Sequence, residues 1–391
     1  MATSMAIFLG ACSALLFLLA VHPFVSYPLS LRIIGLFVKG PRSAVASDAV
    51  SNAVPPTFAV CMCAYNEERV IDEKMRNLLA LREREPGMEI LVYVDAASDR
   101  TTELLEAYGD QIHLHASKER HGKTHGMNLL VAQATASIIV FTDANVMLDM
   151  EALDKLRGHF TDPEIGCVCG NLIYTNADES LTAASGSLYW KLEQSIKKME
   201  QSTGSIMGAD GSLFAIRRAL HHRPPDHIID DMYVSFMILC DGYRIVQADD
   251  VRAYEASVTS SHEEFKRKVR IACQAFNVHR LIWPHLRQLD GFTLYKYVSH
   301  KLIRWMTIYS LTLSIVFGLL ALLVAGQWSL AVGAALMIAV GLALGFVWEV
   351  KPFSQVADIL VAFAGAGLGV WRSIRGERFQ TWTPAASIRK S

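Results

Sequence analysis

Asp143 and Asn145 stand one residue apart, directly after the apolar run Ile138–Phe141. Two oxygen-bearing side chains at that spacing point the same way along an extended chain and can share a hard cation or the phosphates it carries. A strand ending in a turn with Asp as its cap has the same pattern. Asp230 and Asp231 adjoin at the head of the apolar segment Met232–Leu239. One of them can cap that helix while the other faces a ligand, and like charges so close raise a carboxyl pKa toward the range of a general base. Asp210 lies between Gly208 and Gly211, glycines that permit a tight backbone. Glu119-Arg120-His121-Gly122-Lys123 puts cations just before a helix start, where they suit a diphosphate or simply a solvated charge run. Asp95 closes another strand-like run and can accept hydrogen bonds from a base or ribose, whereas Asp99 and Thr101 suit a helix N-cap. Arg270, four residues from Lys266 on one helix face, can reach a phosphate, although its basic neighbours also suit a membrane surface.

For these groups to meet, the elements carrying them must end on a common edge. Ile138–Phe141 has no helical period and reads as a strand buried on both faces. Around it alternate strand Phe58–Ala64, helix Val70–Leu81, strand Glu89–Asp95, helix Thr102–Tyr108, strand Ile112–His115 and helix Thr124–Ala134. Helix Met150–Phe160 and strand Ile165–Cys169 follow. The alternation predicts an α/β fold with a doubly wound, mostly parallel sheet. Right-handed crossovers then bring Tyr65, Glu67, Asp95 and Asp143 to the ligand-binding edge.

The 391 residues are 52% hydrophobic, but the apolar residues are bunched. Met5–Val21, Leu302–Val324 and Leu330–Val347 each approach the length of a bilayer span. Arg32, Lys39 and Arg42 all follow the first run, which puts the N-terminus outside and the next segment in the cytoplasm. The expected organisation is an anchor at 1–28, an interfacial segment and linker at 29–55 and a cytoplasmic domain at 56–290. Two spans at 300–348 follow, then an interfacial or re-entrant helix and tail at 349–391. Val356–Val370 is assigned to that last helix because it offers only about fifteen residues, includes Asp358 and precedes several arginines. A formal charge of −1 gives no pull toward nucleic acid. No Gly-x-Gly-x-x-Gly and no Walker loop is present, which argues against a dinucleotide dehydrogenase and a P-loop ATPase. The seven cysteines lack zinc or redox spacing and read as small core residues in a reducing compartment.

Taken in order, Tyr65-Asn66-Glu67, Asp95, Lys123 with Asn128, Asp143, the Gly208–Arg217 stretch and Asp230-Asp231 resemble the family 2 glycosyltransferases. These are membrane-bound inverting enzymes that include cellulose, chitin and hyaluronan synthases. The resemblance covers roughly residues 56 to 285 and implies a GT-A-like fold flanked by transmembrane helices at the plasma (inner) membrane. It implies donor-nucleotide contacts at Tyr65, Glu67, Asp95, Lys123 and Asp143, and a sugar or acceptor loop at Gly208, Asp210 and Gly211. It further implies a diphosphate contact at Arg270, Mg²⁺ or Mn²⁺ on Asp143 and Asn145, and Asp231 as the catalytic base. The implied partners are a nucleotide-sugar donor, of UDP type, a glycan or lipid-linked acceptor, membrane lipids and other polysaccharide biosynthesis subunits.

Two departures bear on the product. Asn145 replaces the usual second acid, which keeps an oxygen ligand and removes a charge. Arg267-Lys-Val-Arg-Ile271 keeps Arg270 but lacks the Gln and Trp of the processive members' Gln-x-x-Arg-Trp, which puts polymer synthesis in doubt. The alternatives are a transferase that moves one sugar onto a polyprenyl phosphate and a nucleotide-sugar-binding regulator without chemistry.

Overall fold

The computed structural model describes residues 1–38, 55–176, 181–256 and 260–383. Two helices open the chain, α1 (Ala2–Val21) and α2 (Ser26–Phe37). The alternating region follows as β1 (Phe58–Ala64), α3 (Ile71–Arg84), β2 (Glu89–Asp95), α4 (Thr101–Glu106), β3 (His113–Ser117), α5 (Lys123–Gln133) and β4 (Ile138–Asp143). Next come β5 (Met147–Leu148), α6 (Ala152–His159), β6 (Ile165–Tyr174), α7 (Leu181–Gln201), β7 (Leu213–Arg217), α8 (Asp230–Cys240), β8 (Arg244–Glu255) and α9 (Ser261–Leu286). The chain closes with α10 (Gly291–Tyr297), a π-helical stretch Val298–Leu302, α11 (Ile303–Trp305), α12 (Thr307–Val324), α13 (Trp328–Phe346) and α14 (Phe353–Ile374).

One eight-stranded sheet in the order β3-β2-β1-β4-β7-β6-β8-β5 organises the centre. The expected parallel pairing is present across β3-β2-β1-β4. Beyond β4 the sheet is mixed. β6 does not join β4; β7, a strand hidden in the stretch read as a glycine-rich loop, inserts antiparallel between them. The alternating pleat explains how such apolar strands are buried on both faces. Val60, Met62, Val92, Val94 and Val140 face one core layer with Met75, Leu78 and Leu156 of α3 and α6. Cys61, Cys63, Leu91, Tyr93, Ile139 and Phe141 face the other, with Met127 of α5, Phe236 of α8 and Val278 of α9. Phe141 and Phe214, partners across β4 and β7, stack with centroids 4.4 Å apart.

Among the described residues, four helices are long and apolar enough to cross a membrane, namely α1, α12, α13 and α14. α1 and α12 are joined by reciprocal bonds in which each of Ser13 and Ser314 donates its hydroxyl to the other's backbone carbonyl at 2.8 Å. Small hydroxyl residues allow such close approach between apolar helices. The short apolar stretch after the first run forms α2, and its Tyr27 and Leu31 are buried against Ile196 of α7. The basic segment His262–Ile271 is the first part of a 26-residue helix. α14 runs for 22 residues, longer than the fifteen-residue run that marks it in the sequence. It lies along α9, where Ser373 donates to Asn277 at 2.7 Å and Arg280 donates to the Ser373 carbonyl at 2.6 Å. Most of the expected linker, residues 41–54, lies outside the described residues.

Candidate nucleotide-sugar site

The C-terminal ends of β1, β2 and β4 lie side by side on one edge of the sheet. Asp95 at the end of β2 is fully buried. Its carboxylate accepts from the Arg120 Nε at 2.8 Å and from the backbone N–H groups of His121 and Gly122 at 2.7 and 3.1 Å. The Arg120 guanidinium lies 3.3 Å above the Tyr65 ring and donates to the carbonyl of Trp382 at 2.6 Å. Glu67 is buried, and its N–H donates to Thr101 Oγ1 at 2.7 Å. Asp99 works as a local clasp, accepting from the Thr101 N–H at 3.0 Å and the Glu68 N–H at 3.1 Å.

A few residues along, Gly122 sits at φ +92° before α5. Any side chain here would collide with the Gln380 carbonyl, 2.1 Å from an added Cβ. This turn aims Lys123 at Asp143, and Nζ donates to Oδ1 at 2.7 Å. Burial would lower the Lys123 pKa, but Asp143 and Asp230 reverse that and raise it above its ordinary value. α5 also fixes the approach to α8: Thr124 Oγ1 donates to the Ile228 carbonyl at 2.6 Å and Asn128 to that of Pro224 at 2.9 Å. Asn128 is thus a buried tie between segments.

Asp230 and Asp231 begin α8. Asp230 is buried, and among the described residues its Oδ2 has no hydrogen-bond partner. Asp231 Oδ1 accepts the Met232 N–H at 2.6 Å. Burial, then the Asp230 charge, push the Asp231 carboxyl up to about 7. Asp210 and Lys123 also act on that carboxyl. Arg270 on α9 feels both Asp143 and Asp231, while burial and then Arg267 pull its own pKa down. Lys123, Asp143, Asp210, Asp230, Asp231 and Arg270 therefore form one electrostatic cluster.

Asn145 donates its amide to Glu255 Oε1 at the end of β8, 2.8 Å away. Glu255 was not singled out in the sequence, because nothing local marks the end of β8 as a neighbour of β4. Asp210 carries a partner that was also missed. Lys197 of α7, fully buried, pairs with its carboxylate, and the Asp210 N–H donates to Cys169 Sγ at 3.4 Å. Cys169 is thus a polar neighbour of the loop as well as a core residue. All seven cysteines are free thiols.

The largest addition is the segment after α14. Asn277 donates to the Glu377 carbonyl at 3.0 Å, Gln274 to that of Phe379 at 2.8 Å, and Gln380 to that of His121 at 3.0 Å. The Trp382 ring meets Tyr65 edge-on, 6.1 Å between centroids. Gln380 and Trp382 thereby pack beside the Asp95 junction, about 260 positions from their partners His121 and Arg120. Periodicity and composition carry no signal for such a contact.

Tyr65, Asp95, Lys123, Asp143 and Asp210 lie within a stretch matching the family model described as glycosyl transferase family 2, over residues 59–223. Those residues form a family 2 glycosyltransferase domain. Asp231 and Arg270 lie beyond the matched residues. The chain is 27% identical over 192 residues to a poly-beta-1,6-N-acetyl-D-glucosamine synthase of Staphylococcus aureus, covering 47% of this chain and 46% of that protein. It therefore spans about half the length of that relative. An N-acetylglucosaminyltransferase of Rhizobium meliloti is 22% identical over 301 residues, covering 72% of this chain and 69% of that protein. Among solved structures, a mannosyltransferase from Pyrobaculum calidifontis in complex with GDP-Man and Mn²⁺ superposes with a TM-score of 0.70 at 21% identity. That alignment covers 94% of this chain and 99% of the other, and shows that the glycosyltransferase domain and its flanking helices have a GT-A-like fold.

Proposed function

We propose that this chain is a membrane-bound inverting glycosyltransferase that moves a sugar from a UDP-sugar to a cell-surface glycan or a lipid-linked acceptor. The observation that carries the reading is the Asp231 carboxyl, pushed up to about 7 inside a crevice that also holds Lys123 and Asp143. A base poised near the working pH accepts a proton most effectively. Asp231 takes the proton of the acceptor hydroxyl as its oxygen attacks the anomeric carbon, with inversion. The bond to the diphosphate breaks, and the electron pair leaves with the diphosphate oxygen. Lys123 and Arg270 supply positive charge where that negative charge develops. Tyr65, Glu67 and Asp95 line the nucleoside end; Gly208, Asp210 and Gly211 shape the sugar side.

Among the described residues, no three His, Cys, Asp or Glu side chains gather to hold a metal by themselves. A divalent cation that takes its remaining ligands from water and phosphate needs only one or two protein oxygens, so the donor set fits. Asp143 and the Asn145 carbonyl oxygen would hold Mg²⁺ or Mn²⁺, which would neutralise charge on the diphosphate.

The domain is assigned to the cytoplasmic side, with α1, α12 and α13 as spans. The bonds from α9 to Ser373 and Glu377 support an interfacial α14 whose tail stays on the catalytic side. The missing Gln and Trp around Arg270 favour a second reading, transfer of a single sugar to a polyprenyl phosphate. The test is release of nucleoside diphosphate by the solubilised chain across UDP-, GDP- and dTDP-sugars with Mg²⁺ or Mn²⁺. Turnover with a UDP-sugar that vanishes in Asp231→Asn is expected; normal turnover in that variant overturns the assignment. A ladder of chains or a single lipid-linked sugar then separates the two products.

A further inference from the structure

The loop carrying Asp210 and Gly211 is held from behind by one face of α7. Glu193, Lys197 and Glu200 recur at helical spacing, and all three are buried. Glu200 Oε2 accepts the Met207 N–H at 3.0 Å, and Lys197 pairs with Asp210. Outside α7, Lys296 of α10, also buried, donates to the Ser205 carbonyl at 2.8 Å. Three points of the loop are thus bonded to side chains lying deeper than the crevice.

The same α7 face reaches the segments that lead to the apolar helices. Tyr27 of α2 donates its hydroxyl to Glu200 Oε1 at 2.5 Å. His300, fully buried in the π-helical stretch just before α11 and α12, has Nδ1 2.6 Å from Glu200 Oε1 and Nε2 2.9 Å from Glu193 Oε1. Glu193 also pairs with Arg304 of α11. Glu200 therefore has one oxygen on Tyr27 and His300 and the other on the loop backbone. A carboxylate so shared inside a protein transmits a displacement on one side to the other, because neither set of bonds can be broken without exposing a buried polar group. His300 stands in the middle of that π-helical stretch, a local widening common at functional sites.

We propose that α7 is a brace through which the segments entering the membrane set the position of the acceptor loop, with Glu200 and Lys197 as positioning residues for transfer. The inference rests on reading Asp231 as the base, since the loop it positions is the one that Gly211 presses onto Asp231. Neither Glu200 nor Lys197 bonds to Asp95, Tyr65 or Asp143, so the brace acts on the sugar and acceptor side and leaves nucleotide binding alone.

The test uses the full chain in nanodiscs, with Glu200→Gln, Lys197→Met and the milder Tyr27→Phe, and Lys197→Arg as the conservative rescue. Amide hydrogen exchange over residues 203–211, the UDP dissociation constant, and UDP release from UDP-N-acetylglucosamine are measured for each. Expected are exchange at least tenfold faster in the loop for Glu200→Gln and Lys197→Met and a smaller increase for Tyr27→Phe. UDP affinity should stay within twofold, and kcat should fall at least tenfold, with part of the loss recovered in Lys197→Arg. Loop exchange unchanged in Glu200→Gln and Tyr27→Phe overturns the brace, as does UDP affinity falling in parallel with kcat. Faster loop exchange in a protein whose wild type releases no nucleoside diphosphate from any UDP-, GDP- or dTDP-sugar leaves the brace standing and removes the transferase reading instead.

Discussion

Gly211 lies directly against the Asp231 carboxylate: a Cβ added at position 211 would stand 2.8 Å from Oδ2. The loop that shapes the sugar side and the proposed base are thus in contact, and no other residue type fits without moving the carboxyl. Gly211→Ala is expected to lower kcat on the order of 10²-fold, the effect of misplacing a reacting group by about 1 Å. Steady-state kinetics with the best donor check this, and donor KM within threefold of wild type is part of the expectation.

Asp231 must be ionised to accept a proton, and its carboxyl is pushed up to about 7 by burial and Asp230. Transfer should therefore rise with pH through about 7 and fall below it. Asp231→Asn should lower kcat on the order of 10²–10⁴-fold with nucleotide binding intact. Stability gives an independent readout. A carboxyl whose folded pKa exceeds its unfolded value contributes stability below the unfolded pKa and loses it as pH rises through the folded one. Asp231→Asn should therefore melt higher than wild type at pH 8 and show little difference near pH 4, as read by thermal unfolding in detergent.

Asn145 and Glu255 are joined at 2.8 Å, so an acid at 145 would face a carboxylate. Asn145→Asp should weaken Mn²⁺-dependent UDP binding and lower the melting temperature, despite adding the charge usual in the family. Asn145→Asp combined with Glu255→Gln restores a neutral partner and should recover most of both losses. A double-mutant cycle on UDP affinity checks the coupling.

Arg120 ties buried Asp95 to Tyr65 and to the Trp382 backbone. Arg120→Ala leaves Asp95 with two backbone donors but without its cation, and should destabilise the fold by about 1–3 kcal/mol and raise donor KM. Trp382→Ala keeps the backbone bond and loses only the ring, so its effect on donor KM should be in the same direction and smaller. Titration of UDP against each variant separates the two.

Much of the scaffold was legible from periodicity. The unbroken apolar runs of β1, β2 and β4 predict strands covered on both faces, and helices between them force parallel pairing with polar junctions on one edge. Residue types at those junctions marked Tyr65, Asp95, Lys123 and Asp143, which the fold brings to one edge of the sheet, with Lys123 bonded to Asp143 and Arg120 joining Asp95 to Tyr65. β7 was missed because its five residues run on directly from a glycine-rich turn, with no boundary to part the strand from the loop. Its antiparallel insertion makes the sheet mixed, and only competition among edges for β4 decides that.

By itself, the sequence determined the class of fold, the apolar helices and the order of charged junction residues, because these follow from local spacing and hydrophobicity. Tertiary structure alone decided which charges pair. Lys197 with Asp210, Glu255 with Asn145, Arg120 with the Trp382 backbone and His300 with Glu200 join segments whose separation in the chain has no periodic signature. Burial then makes each pairing obligatory, since a charge or polar group removed from water must find its partner wherever the fold brings one within reach.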